Sequence, residues 1–151
     1  MNKIYIFFGL VLLVSCAPNE VPSNKDLVER DGIKYEVNSQ TPFTGTNVEF
    51  HENGQLKSKE NFKDGELDGL SEYYYMDGQL ESKLNYKDGE FHGLMERYFE
   101  NGQLQFKRNY IDGKLDGLWI EYFHRNSQER SLLCFKNGEL LGTTYTFSCE
   151  K

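Results

Sequence analysis

The sequence predicts an all-β protein, an elongated single-layer antiparallel meander built from stacked β-hairpin repeats. Three observations lead to this fold class: a glycine that recurs every 24 residues, paired turn signals inside each period, and polar–apolar alternation between the turns. A period of this length is typical of repeat architectures. The last interval is 25 residues, so the final unit contains one insertion. The recurring glycines are Gly45, Gly69, Gly93, Gly117 and Gly142.

Each of the first three repeats contains two Asn-Gly or Asp-Gly turn pairs between aromatic-rich runs, and in the fourth the first pair is replaced by Asn126-Ser127. Such a pair is a strong hairpin signal, because a type I′ turn requires positive φ at both central residues. We predict that the first pair closes a hairpin and that the second reverses the chain into the next one. The predicted turn glycines are Gly54, Gly65, Gly69, Gly78, Gly89, Gly93, Gly102, Gly113, Gly117 and Gly138.

The runs between the turns alternate as strands do. In the second repeat, Leu80, Ser82, Leu84 and Tyr86 would share one face, with charged and amide residues on the other. After the N-terminal segment, no run has a helical apolar period. Each hairpin would contact mainly its neighbours, and about three strands are needed for a stable sheet.

The repeat also resembles a known family. Gly-Leu-x-x-x-Tyr-(Phe/Tyr)-x-(Asn/Asp)-Gly-Gln-Leu, followed by Asn-(Phe/Tyr)-x-Asp-Gly-x-(Leu/Phe)-x-Gly, recurs over residues 45–142. This pattern resembles the MORN-repeat variant found in bacterial lipoproteins, and such proteins are often named YwqK-type antitoxins. The resemblance implies an elongated twisted sheet used for protein–protein contact.

Residues 1–15 are predicted to be a lipoprotein signal peptide. Lys3 supplies a positive charge, and the apolar run Ile4–Val14 is shorter than the ~20 residues that span a bilayer. The segment ending at Cys16 resembles the bacterial lipoprotein cleavage box, in which the cysteine becomes the lipidated N-terminus. Ala17 follows where Asp would resemble an inner-membrane retention signal, so we expect an outer-membrane anchor. An ordinary signal peptide is the alternative.

The remaining chain divides into a tether, a cap, four repeats and a terminal strand. Residues 16–30 are mostly polar and contain Pro18 and Pro22, which favours a flexible tether. Residues 31–44 are predicted to form a leading half-repeat that caps the sheet. The repeats are assigned to 45–68, 69–92, 93–116 and 117–142, and a C-terminal capping strand to 143–151.

The charge of the chain argues against nucleic acid as a partner. Its 17 basic and 24 acidic residues give a net charge of −7, and removal of residues 1–15 with Lys3 makes it −8. Binding to DNA or RNA depends on neutralising phosphates with basic residues. The acidic residues serve either the solubility of a thin sheet or a preference for a basic partner.

Aromatic residues, which make up 15% of the chain, are the candidate binding residues. They serve either as cross-strand packing, which replaces a conventional core, or as a binding face for another protein. Trp119, Tyr122 and Phe123 form the richest segment. The predicted partner-binding aromatics are Tyr74, Tyr98, Trp119, Tyr122 and Phe123.

Two cysteines, Cys134 and Cys149, remain after lipidation of Cys16. An exported protein meets an oxidising compartment, where a disulfide forms if the two Cα atoms lie within about 7 Å. The register of the predicted strands does not decide their relative positions. A disulfide and two free thiols therefore both stay open.

The chain contains none of the common catalytic or metal-binding motifs. It lacks G-x-S-x-G, a Walker loop, H-E-x-x-H and a cysteine pair at zinc spacing. We expect no enzyme activity, cofactor or metal. The predicted function is a membrane-anchored, non-catalytic protein-interaction scaffold, and the resemblance implies an antitoxin or immunity protein as its sharper form. The alternative is a carbohydrate-binding surface lipoprotein that uses the repeat aromatics.

Overall fold

A computed structural model describes residues 26–122, 130–143 and 149 of the chain. The predictions for residues 1–25 lie outside this part, including the signal peptide, Cys16 and most of the tether. Phe123 and most of the predicted capping strand 143–151 also lie outside it. Within the described residues, no helix is long and apolar enough to cross a membrane.

Thirteen β-strands follow one another in the described residues. They are β1 (Leu27–Arg30), β2 (Ile33–Glu36), β3 (Gly45–Phe50), β4 (Leu56–Lys63), β5 (Glu66–Leu67), β6 (Gly69–Tyr74), β7 (Leu80–Lys87), β8 (Glu90–Tyr98), β9 (Leu104–Ile111), β10 (Lys114–Leu115), β11 (Gly117–Tyr122), β12 (Arg130–Lys136) and β13 (Glu139–Thr143).

Eleven of these strands form one open antiparallel sheet. Its order follows the chain, β13-β12-β11-β9-β8-β7-β6-β4-β3, and the short strands β5 and β10 pair with β4 and β9. Strands β1 and β2 form a separate hairpin. The predicted all-β, single-layer meander of hairpin repeats is confirmed.

The second turn of each repeat is the two-residue turn that the sequence predicts. Asp64 and Gly65 have φ of 51° and 84°, and Asp88 and Gly89 have φ of 48° and 78°. Positive φ at both residues defines a type I′ turn, whose twist matches that of the flanking strands. The same pattern holds at Asp31-Gly32, Asp112-Gly113 and Asn137-Gly138.

The first turn in each of the first three repeats differs from the predicted two-residue type I′ turn. Gly78 has a φ of 83°, whereas Asp77 does not have positive φ. The Gly78 N–H donates to the Tyr75 carbonyl at 2.9 Å, and the Tyr75 N–H donates to the Gln79 carbonyl at 2.8 Å. This is a three-residue loop, a type I turn followed by a left-handed glycine. The Asp77 carboxylate accepts the Gln79 N–H at 2.9 Å, which explains why Asn or Asp recurs there.

A repeated asparagine holds the strands where the chain bends after the second turn. The side-chain amide of Asn85 donates to the Leu94 carbonyl at 2.6 Å, across a register shift between β7 and β8. Asn61 makes the same bond to Leu70 at 2.5 Å. The bond satisfies a backbone carbonyl that the irregular ladder would otherwise leave unpaired.

Successive repeats are joined along one edge by backbone hydrogen bonds between their second turns. Each turn glycine donates its N–H to a carbonyl in the preceding unit, at 2.8 or 2.9 Å. The pairs are Gly65 to Phe43, Gly89 to Leu67, Gly113 to Phe91 and Gly138 to Leu115. We call this series the turn ladder.

The N-terminal hairpin packs against this edge of the sheet. It starts at Leu27, earlier than the predicted cap of residues 31–44. The assignment of residues 16–30 to a tether is wrong for Leu27–Arg30, which forms β1. The type I′ turn at Asp31-Gly32 connects β1 to β2, and the two strands pair at four positions. The Lys34 N–H then donates to the Gly65 carbonyl at 2.9 Å.

The opposite end of the sheet is closed by a disulfide between Cys134 and Cys149, whose Cα atoms are 5.5 Å apart. Ile120, Leu132 and Cys134 are buried on the same face there. Strand β13 begins at Glu139, ahead of the predicted terminal strand. Buried apolar side chains are otherwise few, as expected for one layer: Phe43, Val48, Phe62, Leu84 and Phe106.

Candidate interaction surface

The strand register assigns the side chains of the sheet to two chemically different faces. Residues directly opposite each other in antiparallel strands lie on the same face. One side, here the aromatic face, bears Phe62, Tyr73, Tyr86, Phe106, Tyr110, Trp119 and Phe135. The other side, here the charged face, bears Lys59, Glu72, Lys83, Glu96 and Lys107.

Glycines and aromatic rings alternate across the aromatic face. Gly69 lies directly opposite Tyr86, and Gly93 lies directly opposite Tyr110. A glycine has no side chain, so the ring on the neighbouring strand has space to cover its backbone. Phe91 lies between the two tyrosines, with ring centres 4.9 Å from Tyr86 and 5.2 Å from Tyr110. The rings form a continuous half-buried surface.

Two tyrosines of this face are partly removed from water. Burial, together with a hydrogen bond from its hydroxyl to Glu60, raises the pKa of Tyr73 well above its usual range. Burial also raises the pKa of Tyr86. Both side chains therefore stay neutral at physiological pH, and each offers an apolar ring with a polar tip.

The charged face neutralises itself. Lysine and glutamate alternate directly opposite one another across five strands, so that each strand presents the opposite charge to its neighbours. Lys83 Nζ lies 3.5 Å from Glu72 Oε1, and Lys107 Nζ lies 3.3 Å from Glu96 Oε1. Such exposed pairs contribute little stability, about 0–1 kcal/mol each. Because four of these five charges are already paired, this face is the weaker candidate for recognition.

The structure does not bring the predicted binding aromatics together. Tyr74, Tyr98 and Tyr122 lie on the charged face, whereas Trp119 lies on the aromatic face. The Tyr98 hydroxyl donates to Glu96 Oε2 at 3.1 Å. Burial raises the pKa of both Tyr74 and Tyr98, each with a further contribution from the nearby glutamate. Phe123 lies outside the described residues.

The residues that sequence reasoning missed as binding candidates are Tyr73, Tyr86, Phe91 and Tyr110. A usable signal was present in the sequence for two of them, Tyr86 and Tyr110. The recurring glycine and the recurring aromatic at Phe62, Tyr86, Tyr110 and Phe135 fall at matching positions of paired strands. Because pairing puts them on one face, this aromatic series marks the surface better than the series containing Tyr74.

An acidic cleft of about 570 Å³ lies between the N-terminal hairpin and the first two repeats. Lys34, the one lysine among its described lining residues, is paired with Glu29 at 2.9 Å. Phe62 and Leu67 contribute apolar surface. Among the described residues, no group of three or more His, Cys, Asp or Glu side chains is placed to hold a metal ion. The cleft carboxylates are Glu29, Glu60, Glu66, Asp88 and Glu90.

The fold and this surface define a class of protein: a single-sheet β-hairpin repeat protein with one aromatic face. A family model described as the MORN repeat variant matches three segments, residues 43–64, 67–88 and 91–112. They overlap the first three predicted repeats and keep the spacing of 24. MORN repeats generally serve as modules for interaction with proteins or membranes. A comparison with curated proteins finds no relative.

Proposed function

We propose that this chain is a non-catalytic scaffold that binds another protein through its aromatic face. One observation supports this proposal most strongly: an open single-layer sheet presents a row of half-buried tyrosine and tryptophan rings on one side. Aromatic side chains are favoured at protein interfaces, because a large apolar surface is combined with a polar tip. The charged face, with its internal ion pairs, is the face turned away from the partner.

The test is an affinity capture from envelope and secreted fractions with the full chain as bait. Trp119→Ala, on the aromatic face, should lose the partner. Tyr98→Ala, a matched aromatic truncation on the charged face, should retain it. Circular dichroism of each variant would establish that it is folded. If the partner is lost with Tyr98→Ala and kept with Trp119→Ala, binding occurs on the charged face and the proposal is contradicted.

A sharper form of the proposal is an antitoxin or immunity protein anchored to the outer membrane through lipidated Cys16. It rests on the resemblance of residues 13–16 to a lipoprotein cleavage box and of the repeats to proteins named as antitoxins. Labelling with a palmitate analogue should depend on Cys16, and label retained in Cys16→Ala would contradict the anchor. Co-expression should restore growth to cells that produce the toxin; absence of rescue would remove the antitoxin form and leave the scaffold.

A further inference from the structure

One arginine on the aromatic face lies between two rings. The guanidinium carbon of Arg108 is 3.9 Å from the ring centre of Phe106 and 3.9 Å from that of Trp119. Met95 lies directly opposite Arg108, and Leu133 lies directly opposite Trp119. We call these five residues the Arg108 patch. It combines one cation with aromatic and aliphatic surface.

Two hydrogen-bond donors of this patch have no acceptor. Arg108 Nε and Trp119 Nε1 are both buried, and neither has a hydrogen-bond partner among the residues that the structure describes. Buried polar groups are nearly always paired, so an unpaired donor requires an explanation. Only Nε of the guanidinium is both buried and unpaired.

No carboxylate of the described part neutralises Arg108. Neighbouring cations are paired: Lys107 with Glu96 at 3.3 Å and Arg97 with Glu81 at 3.1 Å. Glu121 lies on the same face, directly opposite Phe106, yet it forms no ion pair with Arg108 within the described residues. The two rings thus orient the Arg108 guanidinium, and no carboxylate of the described sheet forms an ion pair with it.

We propose that the Arg108 patch binds a carboxylate-bearing segment of a protein partner. A guanidinium matches a carboxylate with two parallel hydrogen bonds, and stacking on aromatic rings reduces the freedom it loses on binding. Arginine and tryptophan are the residues most enriched among those that dominate interface energies. This inference rests on the proposed scaffold function and names the chemistry that the aromatic face recognises.

The overall charge limits what the partner segment can look like. At −7, the chain repels an acidic partner at long range, but this repulsion is screened beyond about 8 Å at physiological ionic strength. A run of acidic residues would meet the surrounding carboxylates as well as Arg108. The segment that fits presents a single carboxylate flanked by apolar side chains, which Met95 and Leu133 can contact.

The experiment uses Trp119 as a reporter, because it is the only tryptophan of the chain. The probe is the acetylated, amidated peptide Ser-Leu-Glu-Leu-Ser, titrated into the full-length protein while tryptophan fluorescence is recorded. The control peptide carries Gln in place of Glu. We expect saturable binding of the Glu peptide, with the Gln peptide weaker by about tenfold, since it loses charge-assisted hydrogen bonds.

Variants separate this site from general electrostatics. Arg108→Gln should weaken the Glu peptide by about tenfold, to the level of the Gln peptide. Arg108→Lys should recover only part of the affinity, because a lysine keeps the charge without the planar fork. Lys107→Gln is the matched control: it removes the same charge from the adjacent residue on the opposite face, so affinity should stay within about twofold.

Three outcomes would overturn the inference: no saturable response of the unmodified protein up to about 5 mM peptide, equal affinity for the two peptides, or undiminished binding by Arg108→Gln. Failure of the scaffold function is a separate result. A captured partner that depends on Trp119 but is kept by Arg108→Gln would preserve the scaffold and remove the carboxylate site. Capture of no protein by either face would remove the scaffold itself.

Discussion

Gly65 and Gly113 occupy the same position of the repeat, but their surroundings differ. Both have left-handed backbone angles, with φ of 84° and 73°. A Cβ atom on Gly65 would collide with Ile33 Cγ2 and would lie 2.8 Å from the Lys34 carbonyl oxygen. At Gly113 the nearest atom would be Glu90 Oε2 at 3.4 Å, which is ordinary contact. Gly65 is therefore also required for close packing of the N-terminal hairpin.

We predict that Gly65→Ala is more damaging than Gly113→Ala. Each substitution places a Cβ in a left-handed conformation, at a cost of about 1–2 kcal/mol. Gly65→Ala adds a collision with Ile33 and the Lys34 backbone, which costs about 1–3 kcal/mol more. Amide exchange of Lys34, whose N–H donates to Gly65, should accelerate only in Gly65→Ala. Equal exchange in the two variants would contradict the packing role.

Asp116 should make stability sensitive to acid. A salt bridge to Lys136 Nζ at 3.0 Å and the Asn137 N–H hold the pKa of this carboxyl below its usual range. A depressed folded-state pKa contributes stability above the unfolded-state pKa of about 4, and this contribution is lost as the pH falls through the folded-state value. Asp116→Asn should therefore flatten the loss of unfolding free energy below about pH 4. An unchanged acid dependence would count against this pair.

At the scale of elements, strand β12 is held by a disulfide as well as by the hydrogen bonds to its two neighbouring strands. Its two neighbours are β11 and β13, and Cys134 in its centre is bonded to Cys149. The bond closes a segment with a sequence separation of 15 and links Cys149 covalently to the sheet. Cys134 is itself buried, on the same face as Ile120 and Leu132.

Reduction of this disulfide should destabilise the protein. Closing a loop of this length in the unfolded chain is worth about 3 kcal/mol by chain entropy. Urea unfolding of the oxidised protein should therefore have a higher midpoint than unfolding in the presence of a reductant. The double variant Cys134→Ser/Cys149→Ser should resemble the reduced protein and should not respond to reductant. A response of that variant would show that the reductant acts elsewhere.

Turn chemistry illustrates what the sequence could predict and what it could not. At Asp88-Gly89, a two-residue type I′ turn was the correct expectation. At Asp77-Gly78 the same dipeptide lies in a three-residue loop, in which the Asp77 carboxylate accepts the Gln79 N–H. Both loops place glycine in a left-handed conformation, so the dipeptide alone does not distinguish them. Strand pairing decides, and pairing is a non-local property.

The candidate surface was harder to predict than the fold for the same reason. The 24-residue period determines that hairpins stack, but a register shift of one residue transfers a side chain to the other face. In the sequence, Tyr98 and Trp119 are both aromatic residues of predicted strands. In the structure they lie on opposite sides of the sheet. The shift between Arg97 and Tyr98 is visible only once β8 and β9 are paired.

For the molecule as a whole, each repeat contacts mainly the one before and the one after. The sheet order follows the chain, and the turn ladder links consecutive units. Stability is then roughly a sum of repeat and interface contributions, as in other linear arrays. Each repeat adds two strands, and hence about 10 Å, to the length of the sheet.

A deletion of one whole repeat should therefore be tolerated. Removal of residues 69–92 joins Asp68 to Gly93, which reproduces the Asp68-Gly69 junction and keeps strand directions alternating. We expect a folded protein with a lower urea midpoint, monitored by near-ultraviolet circular dichroism. Removal of residues 69–80 would instead place β7 after β4, two strands that run in the same direction, and should prevent folding. Equal behaviour of both deletions would contradict the modular description.

The order of the strands also determines how the molecule carries tension. Hydrogen bonds between antiparallel strands run perpendicular to the strands, so a pull between β3 and β13 loads them one pair at a time, as in a zipper. Each repeat that opens would release about 80 Å of chain, at about 3.4 Å per residue. A partner seated across several strands of the aromatic face would bear this load in parallel. Binding would therefore reinforce the sheet mechanically, and the bound protein should extend only at a higher force than the free protein.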